Sequence, residues 1–515
     1  MRRLLPCVLA VLISSVALAQ ENLAGRIGAV MRRPEYKQAH WGLLVIDAKT
    51  GKTVYEHNPD MLFTPASTTK LYTCASMLAA FGPDHKFQTP VYRRGDVNDG
   101  TLRGDLILVA TGDFTLGGRT DGKGTMAFVD NDHTYADAIS TKHHITETDP
   151  LAGLKALARQ VRQAGIRTVT GDVLIDDRLF PAALGTGSGP GLLTPMIVND
   201  NVVDLIVTPG ASPGQPASVK CRPETSLVQM DAQVETTGKG TSPFIEVRSA
   251  GPQRFSVRGR IATDSKPLVR IWPVDEPPLF ARALFIECLR AEGIDVRASA
   301  LRRPTVELPQ RDGIANLPRV AQFTSPPLSE AVKVCLKVSH NLYASTMPLL
   351  IAAKNNESTI AEGLRWQRRL LKELDVPVET ISFAGGAGGA NADCTTPRAT
   401  VALIQGMRKR KEYAAWHAGF PVLGVDGTLA ESVEKDSPAR GKVFAKTGTI
   451  TWHDAMNNRS LLRSKALAGT MTTASGTELT FAMFVNDVPL KASITSTREG
   501  KTLGHICELI FEHGP

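Results

Sequence analysis

Long apolar runs are scarce in this chain. After an opening stretch at residues 4 to about 16, no segment approaches the ~20 consecutive apolar residues that a membrane-spanning helix needs, so no transmembrane span is expected in the mature chain. Cysteine is sparse, seven in 515 residues. No two cysteines stand in C-x-x-C spacing, which argues against a zinc ribbon or a redox dithiol. Asp130-Asn-Asp132-His133 and His143-His144 have neither calcium-loop nor zinc-helix spacing and read as surface polar residues. The glycine-rich segment Gly385-Gly-Ala-Gly-Gly carries Asn391 where a dinucleotide loop has its third glycine, so it reads as a flexible loop at the edge of a cleft. No metal, cofactor or nucleic-acid ligand is expected, and there is no long repeat.

The opening of the chain reads as an export signal. Arg2-Arg3, the apolar run and Ala17-Leu-Ala19 stand in the order of a cleavable leader, which sets residues 1–19 apart as a signal peptide. Six cysteines then remain: Cys74, Cys221, Cys288, Cys335, Cys394 and Cys507. Export permits disulfides among them, buried thiols fit equally well, and no pairing is legible. The composition is globular, 42% hydrophobic and 21% charged. The net charge of +8, or +6 without Arg2 and Arg3, suits an anionic wall or membrane surface in a periplasm or cell-wall space.

Three short patterns follow one another: Ser67-Thr-Thr-Lys70, Ser339-His-Asn341 and Lys446-Thr-Gly448. Each supplies a different part of a serine acyl transfer. Thr64-Pro65 reads as a helix start, with a threonine cap and proline at the first helical position. Leu71, Cys74 and Leu78 recur at helical spacing, and Ser67 and Lys70 share that inward stripe. A serine hydroxyl is a poor nucleophile until a base takes its proton. Lysine serves as that base only when burial or a nearby cation lowers its pKa, and Lys446 is the candidate cation. The Ser67 N–H, in the first turn, is expected to lack an intrahelical partner and to stabilise an oxyanion.

Loose triplets also arise by chance, and two look-alikes show it. Lys49-Thr-Gly51 lies between two apolar runs and reads as turn chemistry joining strands. Ser432-Val-Glu-Lys435 lies in a charged stretch with no buried stripe after it. Lys446, by contrast, ends a strand-like run at 442–446, and a hairpin-like pair follows at 466–472 and 477–485.

Further segments carry a resemblance over most of the mature chain. They are Gly104-Asp-Leu-Ile-Leu108 with Gly112-Asp113, Gly171-Asp172 with Asp176-Asp177, and Val198-Asn-Asp-Asn-Val-Val-Asp204. Ser325-Pro-Pro-Leu-Ser-Glu330, Lys337-Val-Ser-His-Asn-Leu342, Gly424-Val-Asp-Gly-Thr-Leu429 and Ala445-Lys-Thr-Gly-Thr449 complete the set. With these the chain resembles the penicillin-binding protein 4 type of D-alanyl-D-alanine carboxypeptidase/endopeptidase. The resemblance implies that Ser67 attacks the carbonyl between two D-alanines with Lys70 as base. Ser339 would relay a proton to the leaving amine, and Asn341 would hold Lys70 and the substrate amide. Lys446 and Thr447 would receive the terminal carboxylate beside Gly448, with Thr449 giving the second oxyanion N–H. Peptidoglycan stem peptides are the implied substrates, and β-lactams the implied covalent inhibitors. An inactive wall-binding relative and an exported β-lactamase are the alternatives.

The family usually carries Asp-Gly-Ser-Gly and an arginine between the second and third patterns, associated with the free carboxylate of a diaminopimelate side chain. Residues 385–393 lack that acid, serine and arginine, and Asp393 adds negative charge there. Arg178 is a candidate replacement. The connection at 452–465 also looks longer than usual.

Ser67 and Ser339 stand 272 positions apart, against a few dozen in the smallest relatives of the fold, which points to an insertion. The expected architecture is α/β (α+β): a β-lactamase/transpeptidase-like catalytic domain with an antiparallel sheet and helices at 20–88 and 318–515. A large, mainly β insertion at 89–317 would interrupt it. One helix is expected at 151–164 and a last one at 498–511.

Overall fold

The computed structural model describes residues 23–137, 142–491 and 494–515, so the expected leader at 1–19 lies outside the described residues. The described chain gathers into two compact units. One holds the residues up to 83 with 332–340 and 360–515; the other holds 84–331 and 341–359.

In the first unit five strands form one sheet, in the order Val443–Asp454, Arg459–Thr472, Glu478–Pro489, His40–Asp47 and Thr53–His57. Every neighbouring pair is antiparallel. The inner strands are buried on both faces, so their residues are apolar in near-continuous runs rather than in alternation. On one face, helix 23–31 and helix Thr497–His513 place Leu23, Ile27, Leu503 and Ile506 against Leu43, Phe481 and Met483. The last helix thus stands where its periodicity predicts. Helix Pro397–Arg408 packs on strands Glu478–Pro489 and His40–Asp47. It starts with Thr396 accepting from the Ala399 N–H and with Pro397 at its first position, where a missing N–H costs nothing. Helix Thr69–Phe81 is buried on every side from Thr69 to Leu78, a central helix rather than one with a single inward stripe.

The strand expected to end at Lys446 runs on to Asp454. Residues 447–454 pair with 459–467, and the long connection is therefore an extension of one hairpin, bulged between Ile450 and Thr451. Asp454 fastens the turn by accepting from the Asn457 side chain and from Arg459 Nε.

The second unit is largely β. Its main sheet centres on Thr101–Val109, antiparallel to Gln88–Asn98 and parallel to Thr168–Val169 and Val173–Asp176. Two three-stranded sheets lie beside it in sequence, one around Val202–Thr208 and one around Arg254–Ala262. Helices Ala152–Gln163 and Pro277–Ala291 bury Leu154, Leu157, Phe280 and Leu284 in the same apolar cluster.

Candidate active site

Ser67 sits in a tight 3-10 turn, Ala66–Thr68, that leads into helix Thr69–Phe81. The expected threonine cap is absent. The Thr64 N–H donates to Asn486 Oδ1 and its carbonyl accepts from Ser464 Oγ, so the sheet rather than the helix takes this residue. Ala66 adopts φ +48°, a left-handed conformation that is strained for a residue with a Cβ. The Ser67 N–H makes no hydrogen bond to a carbonyl among the described residues. Lys70 donates to Ser67 Oγ at 2.9 Å and to the Ala387 carbonyl at 2.7 Å. Burial of its ammonium lowers its pKa from the usual lysine range to about 8, against the opposing pull of the Cys335 and Cys74 thiols and of Asp393.

The glycine-rich segment is not a cleft-edge loop. Gly385, Gly386, Ala387 and Gly388 are buried, and the Gly386 carbonyl accepts from Thr73 Oγ1 at 2.8 Å. Gly388 has φ +83°, and a Cβ there would stand 1.9 Å from the Ala66 carbonyl oxygen, so only glycine fits. The Asp393 carboxylate is fully buried and accepts from the Ala384 N–H at 2.8 Å and the Ala390 N–H at 2.9 Å. Burial raises its pKa, and the two N–H donors oppose the shift. Asp393 therefore faces inward and fastens the loop, a role that sequence reading missed.

Lys446, on strand Val443–Asp454, is buried and donates to Ser339 Oγ and to the Thr447 carbonyl, each at 2.8 Å. Its pKa falls well below the lysine range, through burial first and the Lys70 charge second. Ser339 adopts φ +66° just past helix Leu328–Lys337, and His340 beside it is buried. A Cβ on Gly448 would stand 2.5 Å from the Pro65 carbonyl oxygen and 3.1 Å from the Ser67 nitrogen, so the strand lies directly against the Ser67 turn. Thr447 Oγ1 donates to Thr428 Oγ1 at 2.7 Å. Thr428 lies two residues beyond Asp426, whose carboxylate is paired with Lys337 at 2.6 Å. Thr449 is exposed and accepts from Lys465 Nζ at 2.9 Å.

Ser67, Lys70, Ser339, Lys446, Thr447, Gly448 and Thr449 thus fall in one unit. Asn341 opens helix Asn341–Lys354 of the other unit, and its side chain donates to the Ser188 carbonyl at 3.0 Å. The look-alikes fall elsewhere. Lys49 and Thr50 donate their N–H groups to Asp47 in the turn between two strands, and Ser432 lies in an irregular stretch after Leu429. No disulfide joins the six cysteines of the described residues. Arg178 is held by Asp176 and donates to the Pro309 carbonyl.

Asp132 and His133 are not surface residues. They are buried in the second unit, where Asp132, His133 and Asp200 offer ligand atoms within 4.8 Å of one another. The Arg119 guanidinium pairs with both carboxylates, at 2.8 and 2.7 Å, and supplies the positive charge a metal would bring. Burial works to lower the His133 pKa, yet the surrounding Asp204, Asp132 and Asp200 carboxylates raise it to about 10. With Arg119 paired to Asp132 and Asp200, and His133 held between Asp200 and Asp204, this cluster is an ion-paired network.

A buried lysine against a serine, with a second lysine–serine pair close by, is the arrangement of an active-site serine hydrolase. The chain belongs to the D-Ala-D-Ala carboxypeptidase 3 (S13) family, whose profile matches residues 23–502. It is 27% identical over 472 residues to the D-alanyl-D-alanine carboxypeptidase of Actinomadura sp. (strain R39), covering 84% of this chain and 77% of that one. It is 22% identical over 462 residues to the D-alanyl-D-alanine carboxypeptidase DacB of Haemophilus influenzae, covering 86% and 85%. The crystal structure of penicillin-binding protein 4 from Haemophilus influenzae shares the fold, with TM-score 0.70, 19% identity and coverage of 94% of this chain and 99% of that one. The family expected from the motifs is therefore the family found, and the protein is a serine peptidase. Among the described residues no helix is long and apolar enough to cross a membrane.

Proposed function

We propose that the protein is exported and cleaves D-alanyl-D-alanine in peptidoglycan stem peptides through an acyl-enzyme on Ser67. Neutral Lys70 takes the Ser67 proton as Oγ attacks the carbonyl carbon. The Ser67 and Thr449 N–H groups stabilise the oxyanion. Ser339, hydrogen-bonded to Lys446, passes a proton to the leaving amine, and D-alanine departs. Asn341 completes the second pattern, while Lys446, Thr447 and Gly448 line the carboxylate end. Water then cleaves the ester. β-Lactams acylate the same Ser67 oxygen and leave slowly. Residues 20–88 and 318–515 carry this chemistry, and 89–317 form an inserted part.

The observation that carries this reading is the 2.9 Å hydrogen bond from buried Lys70 to Ser67, beside the 2.8 Å bond from Lys446 to Ser339. The test is labelling by a fluorescent penicillin together with D-alanine release from a pentapeptide. Stable labelling with release supports the reading. Rapid turnover of penicillin without release would make the protein a β-lactamase, and absence of both would make it an inactive relative.

A further inference from the structure

Lys465 lies on strand Arg459–Thr472 directly opposite Thr449, one residue beyond the third pattern. Side chains opposite each other in an antiparallel pair share one face of the sheet, and here the Lys465 ammonium donates to Thr449 Oγ1 at 2.9 Å. An ammonium has three donors, and this is its one hydrogen bond among the described residues. No carboxylate lies within ion-pair distance of it among those residues. Glu499, the anion it feels, is fully buried and engaged by Arg498. The end of the Lys465 side chain passes over Gly500, where a Cβ would stand 3.4 Å from Cε. Lys465 is only partly buried, unlike Lys70 and Lys446.

The contrast with Lys446 gives this placement its meaning. Lys446 is fully buried and already donates to Ser339 and to a backbone carbonyl. Burial and the Lys70 charge lower its pKa well below the lysine range. Burial lowers the Lys465 pKa to about 8, the value it also gives Lys70. Its charge is felt at Lys446. A charged group with open donors, beside the threonine that closes the oxyanion site, calls for an anion from the substrate.

We propose that Lys465, together with the Thr449 hydroxyl, is a substrate-binding residue that holds the free terminal carboxylate of the D-alanyl-D-alanine donor. The assignment rests on the function proposed above. It adds a second amine at the carboxylate end beside Lys446, which already donates to Ser339 and to a backbone carbonyl.

The test compares two acyl donors on the full-length protein, one ending in free D-alanine and the same donor with that carboxyl amidated. In Lys465→Met the ratio of kcat/KM, acid over amide, falls by ~30-fold or more, with the change expressed mainly in KM. Lys465→Arg keeps the charge and restores the ratio to within about fivefold of the wild type. An unchanged ratio in Lys465→Met overturns the proposal, whether both rates hold or both fall together. Each ratio is taken within one variant, so a partly folded preparation does not distort it. A wild type that cleaves neither donor would instead overturn the underlying reading.

Discussion

The Nζ of Lys446 donates to the Oγ of Ser339 at 2.8 Å, joining a sheet strand to a left-handed turn 107 residues earlier in the chain. That bond and the Lys70–Ser67 bond give two lysine–serine pairs, each with a buried amine whose pKa burial has lowered.

Ser67→Ala abolishes both penicillin labelling and D-alanine release, a loss of ~10³-fold or more, because no other group replaces the attacking oxygen. Ser432→Ala changes neither. Labelling that persists in the Ser67 variant would refute the assignment.

Acylation depends on pH through Lys70. The amine accepts a proton only when neutral, and its pKa lies at about 8. The rate constant for acylation by penicillin is therefore low at pH 6, climbs about tenfold per pH unit, and levels off above about 8. A flat profile from pH 6 to 8 would mean that Lys70 is not the base.

Lys446→Ala and Lys49→Ala separate the two copies of the third pattern. The first loses a positioned, charge-assisted contact and costs ~30- to 1000-fold in kcat/KM. The second touches a solvated turn and alters stability by less than about 0.5 kcal/mol. Equal losses of activity would show that the wrong copy had been chosen.

Asp393→Ala leaves the Ala384 and Ala390 N–H groups without their buried acceptor and loosens the loop whose Ala387 carbonyl receives Lys70. The expected cost is about 1–3 kcal/mol in unfolding free energy, with slower acylation. Asp393→Asn, which retains an acceptor, falls between the variant and the wild type. Denaturant unfolding and penicillin acylation kinetics measure the two effects, and unchanged values for both would remove Asp393 from the site's support.

The diaminopimelate preference follows from an absent arginine. Residues 385–393 offer no guanidinium, and Arg178 is held by Asp176 and bonded to the Pro309 carbonyl. Donor peptides with a free or an amidated side-chain carboxylate at the third position should differ in kcat/KM by less than ~30-fold. A larger preference for the free acid would point to another cation.

The residues proposed for catalysis are legible because their chemistry is carried by short spacings. Ser67 in its 3-10 turn and Lys70 in the first turn of the following helix stand three apart, and Lys446 precedes Thr447 and Gly448 on a strand. What the sequence concealed depends on partners far along the chain. Thr64 has the residue type of a cap, but Asn486 and Ser464 compete for its backbone and win. Asp393 looks like a free anion until the Ala384 and Ala390 N–H groups close on it. Asp132 and His133 look like surface polarity because Arg119, Asp200 and Asp204, which neutralise them, arrive from separate segments. Lys465 is not legible as a site residue because 452–465 reads as a long connection, whereas the strands pair and set it opposite Thr449.

The contact at Gly448 bears on how such a site can diversify. With the Pro65 carbonyl oxygen 2.5 Å and the Ser67 nitrogen 3.1 Å from where a Cβ would stand, the position admits no side chain without displacing the Ser67 turn. Selection for a new substrate, or for escape from an inhibitor, is closed there. It is left to work at the flanking threonines: Thr447, whose hydroxyl donates to that of Thr428, and Thr449, which is exposed. Variation along this strand should therefore alternate, with an invariant glycine between two adjustable hydroxyl positions.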